Sequence, residues 1–359
     1  MGIRWFKYVS PFGVYVASLY AFFTTGFAVF IPIIYAFVAI PVAELFLKPD
    51  PTNLSAAEEE LIKNDTVYDV LLWLIVPLQY IALFFFLYQV AFVPQSTADL
   101  VGKTGVMALL CGTFGINVGH ELGHRVNAFE QGLAKALLLT SLYMHFFVEH
   151  NKGHHKNVAT PHDPSSARYG EALYSFFFRT ITGSYASAWH IANTDLRKKG
   201  LSVFSWRNEM MRITVIQIVF TAAIFFVFGL KAGLLFLAAA LGGILLLETV
   251  NYIEHYGLSR QQIAEGKYER AMPHHSWNSS HVIGRLMLFE LSRHSDHHYL
   301  ASRKYQVLRH YDTAPQMPTG YPGMMLLALV PPLWFWVMNR RIQQMQENSI
   351  SKALVSASG

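Results

Sequence analysis

The stretch GHELGHRV, residues 119–126, follows directly on a long apolar run and sets the plan of the whole chain. His120 and His124 stand four residues apart, so on a helix both imidazoles lie on one face and can close on one metal ion. That pattern alone is also the H-E-x-x-H signature of zinc proteases. Three further histidine groups remove the ambiguity: EHNKGHH at 149–155, NYIEHYG at 251–257 and RHSDHH at 293–298. A single zinc ion has no use for so many ligands.

Hydrophobic residues make up 53% of the 359 and charged residues only 14%. Mean hydropathy is +0.28, too apolar for a soluble chain of this size. The apolar residues are bunched into runs, which predicts an all-α integral membrane protein. One cysteine, Cys111, excludes a disulfide framework, a cysteine-based zinc site and a built-in iron–sulfur centre. Electrons must then arrive from another polypeptide or from a domain outside this sequence. The basic start MGIRWFKYVSPF leads into an apolar run with no small-residue cleavage signal, so an uncleaved first span is expected. The sequence contains no internal repeat, Gly-rich phosphate loop or nucleic-acid motif.

Residues 8–43 carry no Asp, Glu, Lys or Arg, which is too long for one crossing at about 20 residues per span. The polar break TTG at 24–26 splits them into spans at about 8–23 and 27–47. An acidic connector follows Pro49 and Pro51, and within it NLSAAEEE at 53–60 has the pattern of a capped surface helix. A third span, about 68–93, and a fourth, about 98–119, lead to His120. Apolar runs parted only by Lys231 give spans at about 212–230 and 232–254, the last running into Glu254 and His255. Six spans put both metal-bearing ends on the N-terminal side. Of the 28 Lys and Arg, all but Lys103 and Lys231 fall in segments on that side, which makes it cytoplasmic by the positive-inside rule. The run 134–150 begins near His124 and ends at His150, so it is expected to be an interfacial helix; 281–298 and 321–337 read the same way. One catalytic domain, 1–338, results, with 339–359 as a polar, mobile tail or linker.

In EHNKGHH, His150 and His154 are i and i+4 with His155 adjacent, and in RHSDHH, His294 reaches His297 and His298 at i+3 and i+4. Together with His120 and His124 that spacing occurs three times; His255 stands alone in its segment. Nine imidazoles exceed the octahedral limit of one ion but suit two ions holding four or five each, with room for a small molecule. Imidazole suits iron, zinc, copper and nickel alike, so the residues by themselves leave the metal open. Each group also carries an acid beside a histidine: Glu121, Glu149, Glu254 and Asp296. Metal-bound imidazoles donate their other N–H to such groups, so these four are expected to orient the ligands. His145, His162, His190, His274, His275, His281 and His310 are assigned ordinary structural roles. Two redox-capable metals beside a lipid-filled cavity point to oxygen chemistry on an apolar substrate.

With these motifs in place, the sequence resembles the membrane-bound non-haem di-iron alkane 1-monooxygenases, the alkane omega-hydroxylases of the histidine-box desaturase and hydroxylase superfamily. The resemblance rests on HELGHR at 120–125, EHNKGHHKNVATPHDP at 149–164, NYIEHYGL at 251–258, PHHSWNSSH at 273–281, RHSDHH at 293–298 and PTGYPG at 318–323. NYIEHYGL separates this family from acyl desaturases and fatty-acid hydroxylases, which share only the histidine boxes. The resemblance implies two irons, ligated here by His120, His124, His150, His154, His155, His255, His294, His297 and His298. It implies terminal hydroxylation of n-alkanes to primary alcohols with O2, electrons coming from rubredoxin with a rubredoxin reductase upstream. It also implies the inner membrane of a bacterium, with both termini and the metal site facing the cytoplasm. His162 falls where the family's VATPxDP motif varies and receives no role.

A primary C–H bond is the strongest in an alkane, so position must select the chain end. A narrow tunnel walled by spans two, three, four and six and by a 133–147 helix would do so. Leu137, Thr140, Met144 and Phe147, at i, i+3, i+7 and i+10 of that helix, are expected near the site. The densest basic group, Lys152, Lys156, Arg197, Lys198, Lys199 and Arg207, is the expected dock for an acidic rubredoxin. The alternatives are an acyl-chain hydroxylase or desaturase with the same metal site and, more remotely, an intramembrane zinc protease using His120, Glu121 and His124. A metal transporter would hold its ligands near the bilayer midplane rather than at span ends.

Overall fold

The uncharged runs fold as helices in the computed structural model, which describes residues 4–357. Residues 1–3 of the expected cytoplasmic N-terminus and residues 358 and 359 of the expected tail lie outside that range. After a 3-10 turn at Arg4–Val9, α1 (Phe12–Phe23) is a helix of only 12 residues, ended by extended backbone at Thr24 and Thr25. α2 (Gly26–Phe46) is continuous and apolar enough to cross a bilayer. The NLSAAEEE stretch forms α3 (Ala56–Ile62), where the Ser55 side chain accepts from Glu58 N and Glu58 accepts from Ser55 N, a reciprocal cap. α4 (Thr66–Phe92) and α5 (Thr97–Gly123) are the next two membrane-length helices. A π turn at Cys111–Ile116 interrupts α5 just before His120.

The interfacial helix expected over 134–150 is broken in two. α6 (Ala128–Leu139) stops at a Thr140 cap, and the chain turns through Leu142 at φ 52 before helix resumes as α7, residues 146–157. There Thr140, Ser141 and Leu142 N bond the carbonyls three residues back, and Tyr143 N bonds Leu138 O. Leu137, Thr140, Met144 and Phe147 therefore do not share one helix face. α8 (Leu173–Lys198) leads to α9 (Glu209–His255), a 47-residue helical run with non-helical backbone at Gly229, φ 80 and ψ 173. A straight helix would hold Phe220 and Phe236 about 24 Å apart. Their ring centroids are 5.9 Å apart, so the two limbs fold back on each other at Gly229. Only a glycine takes that backbone without strain.

Beyond α9 lie a small hairpin, β1 (Gln262–Ala264) with β2 (Lys267–Tyr268), and then short helices. The 281–298 run also divides, into α10 (Val282–Met287) and α11 (His294–Tyr299), with Phe289 and Glu290 at positive φ between them. α12 (Tyr321–Ala328) and α13 (Pro331–Ala357) complete the chain. α13 crosses the boundary expected at 338, with Met338 and Ile342 buried and Asn339 accepting from Tyr256 OH at 2.7 Å, so the tail begins as packed helix.

Small residues bring α5 and the second limb of α9 together. A Cβ on Gly243 would lie 2.5 Å from Cys111 Cβ, and one on Gly242 would lie 2.7 Å from Ala108 Cβ. Such close backbone approach is how helices pack where no hydrophobic effect drives them together. The contact matters for the site because α5 carries His120 and α9 carries His255.

Candidate metal centre

All nine histidines expected as ligands converge at one end of these helices. They fall into two groups: His120, His124, His150, His155 and His297 in one, and His154, His255, His294 and His298 in the other, each group's nitrogens lying within 4.8 Å of one another. The remaining seven histidines belong to neither group.

The division differs from the one that spacing suggests. His150 to His154 is a π turn, in which the facing partner is i+5 rather than i+4. His150 Nε2 accordingly meets His155 Nε2 at 3.0 Å, while His154 Nε2 meets His298 Nε2 at 3.2 Å. In α11, His294 and His298 serve one group and His297 the other.

The contact lengths carry chemical information. Donors bound at right angles to an ion about 2.1 Å away lie about 3.0 Å apart, and tetrahedral donors at that bond length lie about 3.4 Å apart. In the five-membered group, Nε2 of His297 and of His124 lie 2.9 and 3.0 Å from His120 Nε2, and His155 Nε2 is 3.1 Å from His297 Nε2. The contacts suit donors gathered round one ion, and five donors exceed the four of a tetrahedral zinc site. Burial, reinforced by repulsion among neighbouring imidazoles, holds His124, His150, His155, His294, His297 and His298 well below the usual imidazole range. They are therefore neutral, with lone pairs free for a metal.

The four acids expected to orient these ligands do not hydrogen-bond their sequence neighbours. Adjacent helical residues point about 100° apart, so the acid beside a histidine faces elsewhere. Glu121 accepts from Arg125 at 2.8 Å and from Tyr305 N at 3.1 Å. Glu149 accepts from Ser187 at 3.3 Å. Asp296 accepts from Arg303 at 2.7 Å and from Arg309 N at 2.8 Å, tying the 303–309 loop beneath α11. Glu254 accepts from Tyr321 OH at 2.7 Å and lies near His294, on another helix.

The acid that does hold one of these imidazoles is one that sequence reasoning missed. Asp163, fully buried, accepts from His154 Nδ1 at 2.9 Å, leaving Nε2 directed into the four-membered group. Burial alone would lower the His154 pKa, but the Asp163 carboxylate lifts it above the ordinary value. The signal available was the DP step closing the VATPHDP segment, nine residues beyond His154, with no helical spacing to recommend it. The PHHSWNSSH segment also finds its role here. Trp277 N donates to Glu254 O and its indole N–H to Tyr256 O, while Asn278 accepts from Ser295 Oγ and pairs with Pro315 and Met317. This loop thereby pins the end of α9 to α11.

An apolar cavity of about 80 Å3 lies beside the metal-group helices, with none of the nine histidines in its lining. Its walls are Tyr35, Phe37 and Ile40 of α2, Leu109, Gly112 and Asn117 of α5, Leu246 and Val250 of α9, with Met287, Leu291 and Tyr321 from the later segments. Asn117 and Leu291 each precede a group histidine by three residues. Spans two, four and six contribute as expected, but α4 does not, and neither does any of Leu137, Thr140, Met144 and Phe147. Leu137 and Thr140 instead pack in the interior, where Thr140 Oγ1 accepts from Gln79 at 3.2 Å. Lys152, Lys156, Arg197, Lys198, Lys199 and Arg207 are all exposed, with Lys152 paired to Asp195 at 2.6 Å.

Comparison with known proteins adds to this geometry. The family model described as fatty acid desaturase matches residues 103–328. An alkane 1-monooxygenase of Acinetobacter baylyi is 39% identical over 316 residues, covering 88% of this chain and 77% of that protein. One from Pseudomonas putida is 38% identical over 337 residues, 93% of this chain and 83% of that protein. Alkane 1-monooxygenase 2 of Pseudomonas aeruginosa is 41% identical over 311 residues, 86% and 82% of the two chains.

Proposed function

Because the chain belongs to the alkane 1-monooxygenases, within the fatty acid desaturase family, we propose that it hydroxylates the terminal carbon of n-alkanes at two irons, one in each imidazole group. The overall reaction takes R–CH3, O2, two electrons and two protons to R–CH2OH and water. A pair of irons bound there would supply the O2 reduction that so strong a C–H bond demands. The chain's own residues do the positioning. Nine imidazoles offer nitrogens in sets of five and four, and Asp163 holds His154 in the tautomer that presents Nε2. Leu291, Val250 and Met287 wall an apolar pocket that would hold an unbranched chain in one orientation.

The observation that carries this reading is the convergence of all nine histidines into two adjacent groups, with His120 and His294 three residues along the chain from Asn117 and Leu291 of an apolar cavity. Electrons come from rubredoxin, steered to the exposed basic residues Lys152, Lys156, Arg197, Lys198, Lys199 and Arg207. The membrane arrangement is six crossings, with α1 and its preceding turn as the first and the two limbs of α9 as the fifth and sixth. The metal site then faces the cytoplasm of a bacterial inner membrane, in agreement with the distribution of Lys and Arg. The test is purified protein in lipid with rubredoxin, its reductase and octane: 1-octanol is expected, and oxidation confined to acyl chains would point to the hydroxylase or desaturase alternative instead. Raising ionic strength should slow reduction by rubredoxin but not by a neutral small reductant.

A further inference from the structure

The two imidazole groups are unequal, and a carboxylate stands where the smaller one lacks a donor. We propose that Glu254 is a direct oxygen ligand of the ion in the four-imidazole group, held in place by Tyr321. The inference rests on the two-iron reading above and extends it.

Glu254 Oε2 lies 3.1 Å from His294 Nε2, and that same nitrogen lies 3.2 Å from His255 Nε2. The oxygen thus sits at that edge distance from His294 Nε2, the one nitrogen of the group it contacts, and outside the set of four nitrogens that lie within 4.8 Å of one another. An acid that merely orients a ligand bonds the nitrogen turned away from the metal, as Asp163 does at His154 Nδ1. Glu254 is on the inward nitrogen, while His294 Nδ1 is buried with no partner among the described residues. Glu254 is itself buried, and its other oxygen, Oε1, is taken by Tyr321 OH at 2.7 Å. One oxygen is fixed by a hydrogen bond and the other is left facing the group. A buried carboxylate without a counter-charge is costly, and a metal cation in the group offsets that cost. Among the described residues no such contact is seen at the five-imidazole group, where Glu121 is turned toward Arg125 and Tyr305.

Two consequences follow. The ions differ chemically, five nitrogens at one and four nitrogens with one oxygen at the other. Tyr321 also lines the apolar cavity, so a chain bound there touches the residue that holds the ligand.

The test uses 57Fe-loaded holoprotein of wild type, Glu254→Gln and Tyr321→Phe, read by iron content, Mössbauer spectra and release to a chelator. Wild type should show two quadrupole doublets. Glu254→Gln should shift one doublet and leave the other in place, and release that iron more than about 100-fold faster, beyond the loss typical of removing an orienting acid. Tyr321→Phe, which keeps the ring and removes only the donor, should shift the same doublet while retaining both irons. Both doublets unmoved in Glu254→Gln, or in Tyr321→Phe should the first variant not fold, would overturn the assignment of Glu254 alone. Wild type binding fewer than two irons would instead overturn the functional reading, and this inference with it.

Discussion

Replacing Asp163 by Asn should weaken one metal site and spare the other. His154 Nδ1 donates to Asp163 Oδ2 at 2.9 Å, and both side chains are buried. Asparagine keeps the shape but loses the charge, and its amide can present N–H instead of oxygen, which would reverse the His154 tautomer and turn a protonated Nε2 toward the group. Loss of such a partner costs 10- to 100-fold in metal affinity, or about 1.4–2.7 kcal/mol. Only the four-imidazole group contains His154, so a chelator titration of Asp163→Asn should become biphasic, with one iron leaving early and the second at the wild-type concentration. Glu121→Gln is the control. It lies beside His120 in sequence but faces Arg125 and Tyr305 N, so its titration should follow wild type. A wild-type profile for Asp163→Asn, or equal early loss from Glu121→Gln, would refute the reasoning.

Gly243→Leu should destabilise the fold by more than about 2 kcal/mol through overpacking against Cys111, and should lower iron content by separating the helices that carry His120 and His255. Thermal unfolding and metal analysis check it, and an unchanged midpoint would contradict it. Ala36→Phe, on the cavity wall, should shift the products toward shorter alcohols, whereas Leu137→Phe, outside the cavity, should leave the chain-length profile alone. An identical profile in all three proteins would show that this cavity does not hold the substrate. Burial lowers the pKa of His145 to about 4. Its unfolded value is near 6.5, so the unfolded chain takes the proton first. The stability His145 permits is present above pH 6.5 and is lost as pH falls toward 4. His145→Phe should flatten the acid limb of the unfolding curve in that window, and superimposable limbs would contradict this.

Much of the site was legible because its residue types leave few alternatives. Imidazoles clustered at the ends of apolar runs have no packing role there and are costly to bury unpaired. The all-α membrane fold was legible for a related reason, since long uncharged runs must satisfy their backbone internally. What escaped the sequence depends on tertiary contact. The π turn at 150–154 regroups the EHNKGHH histidines, and no residue in it signals i+5 geometry. The acids were sought beside the ligands, where a helix turns them away. Asp163 reaches His154 only because the VATPHDP loop folds back on α7. The 133–147 helix fails at Leu142, where the weak helix formers Thr140 and Ser141 were the only signal and Thr140 Oγ1 donates to Leu137 O. The cavity draws Met287, Leu291 and Tyr321 from segments whose sequence reads only as interfacial helices.

Metal stoichiometry of the purified protein, measured on wild type, His155→Ala and His298→Ala, tests the central claim most directly. The account predicts two irons per chain and no zinc in wild type, with each variant losing a different one of the two. A single tightly held zinc, unaffected by either change, would contradict it.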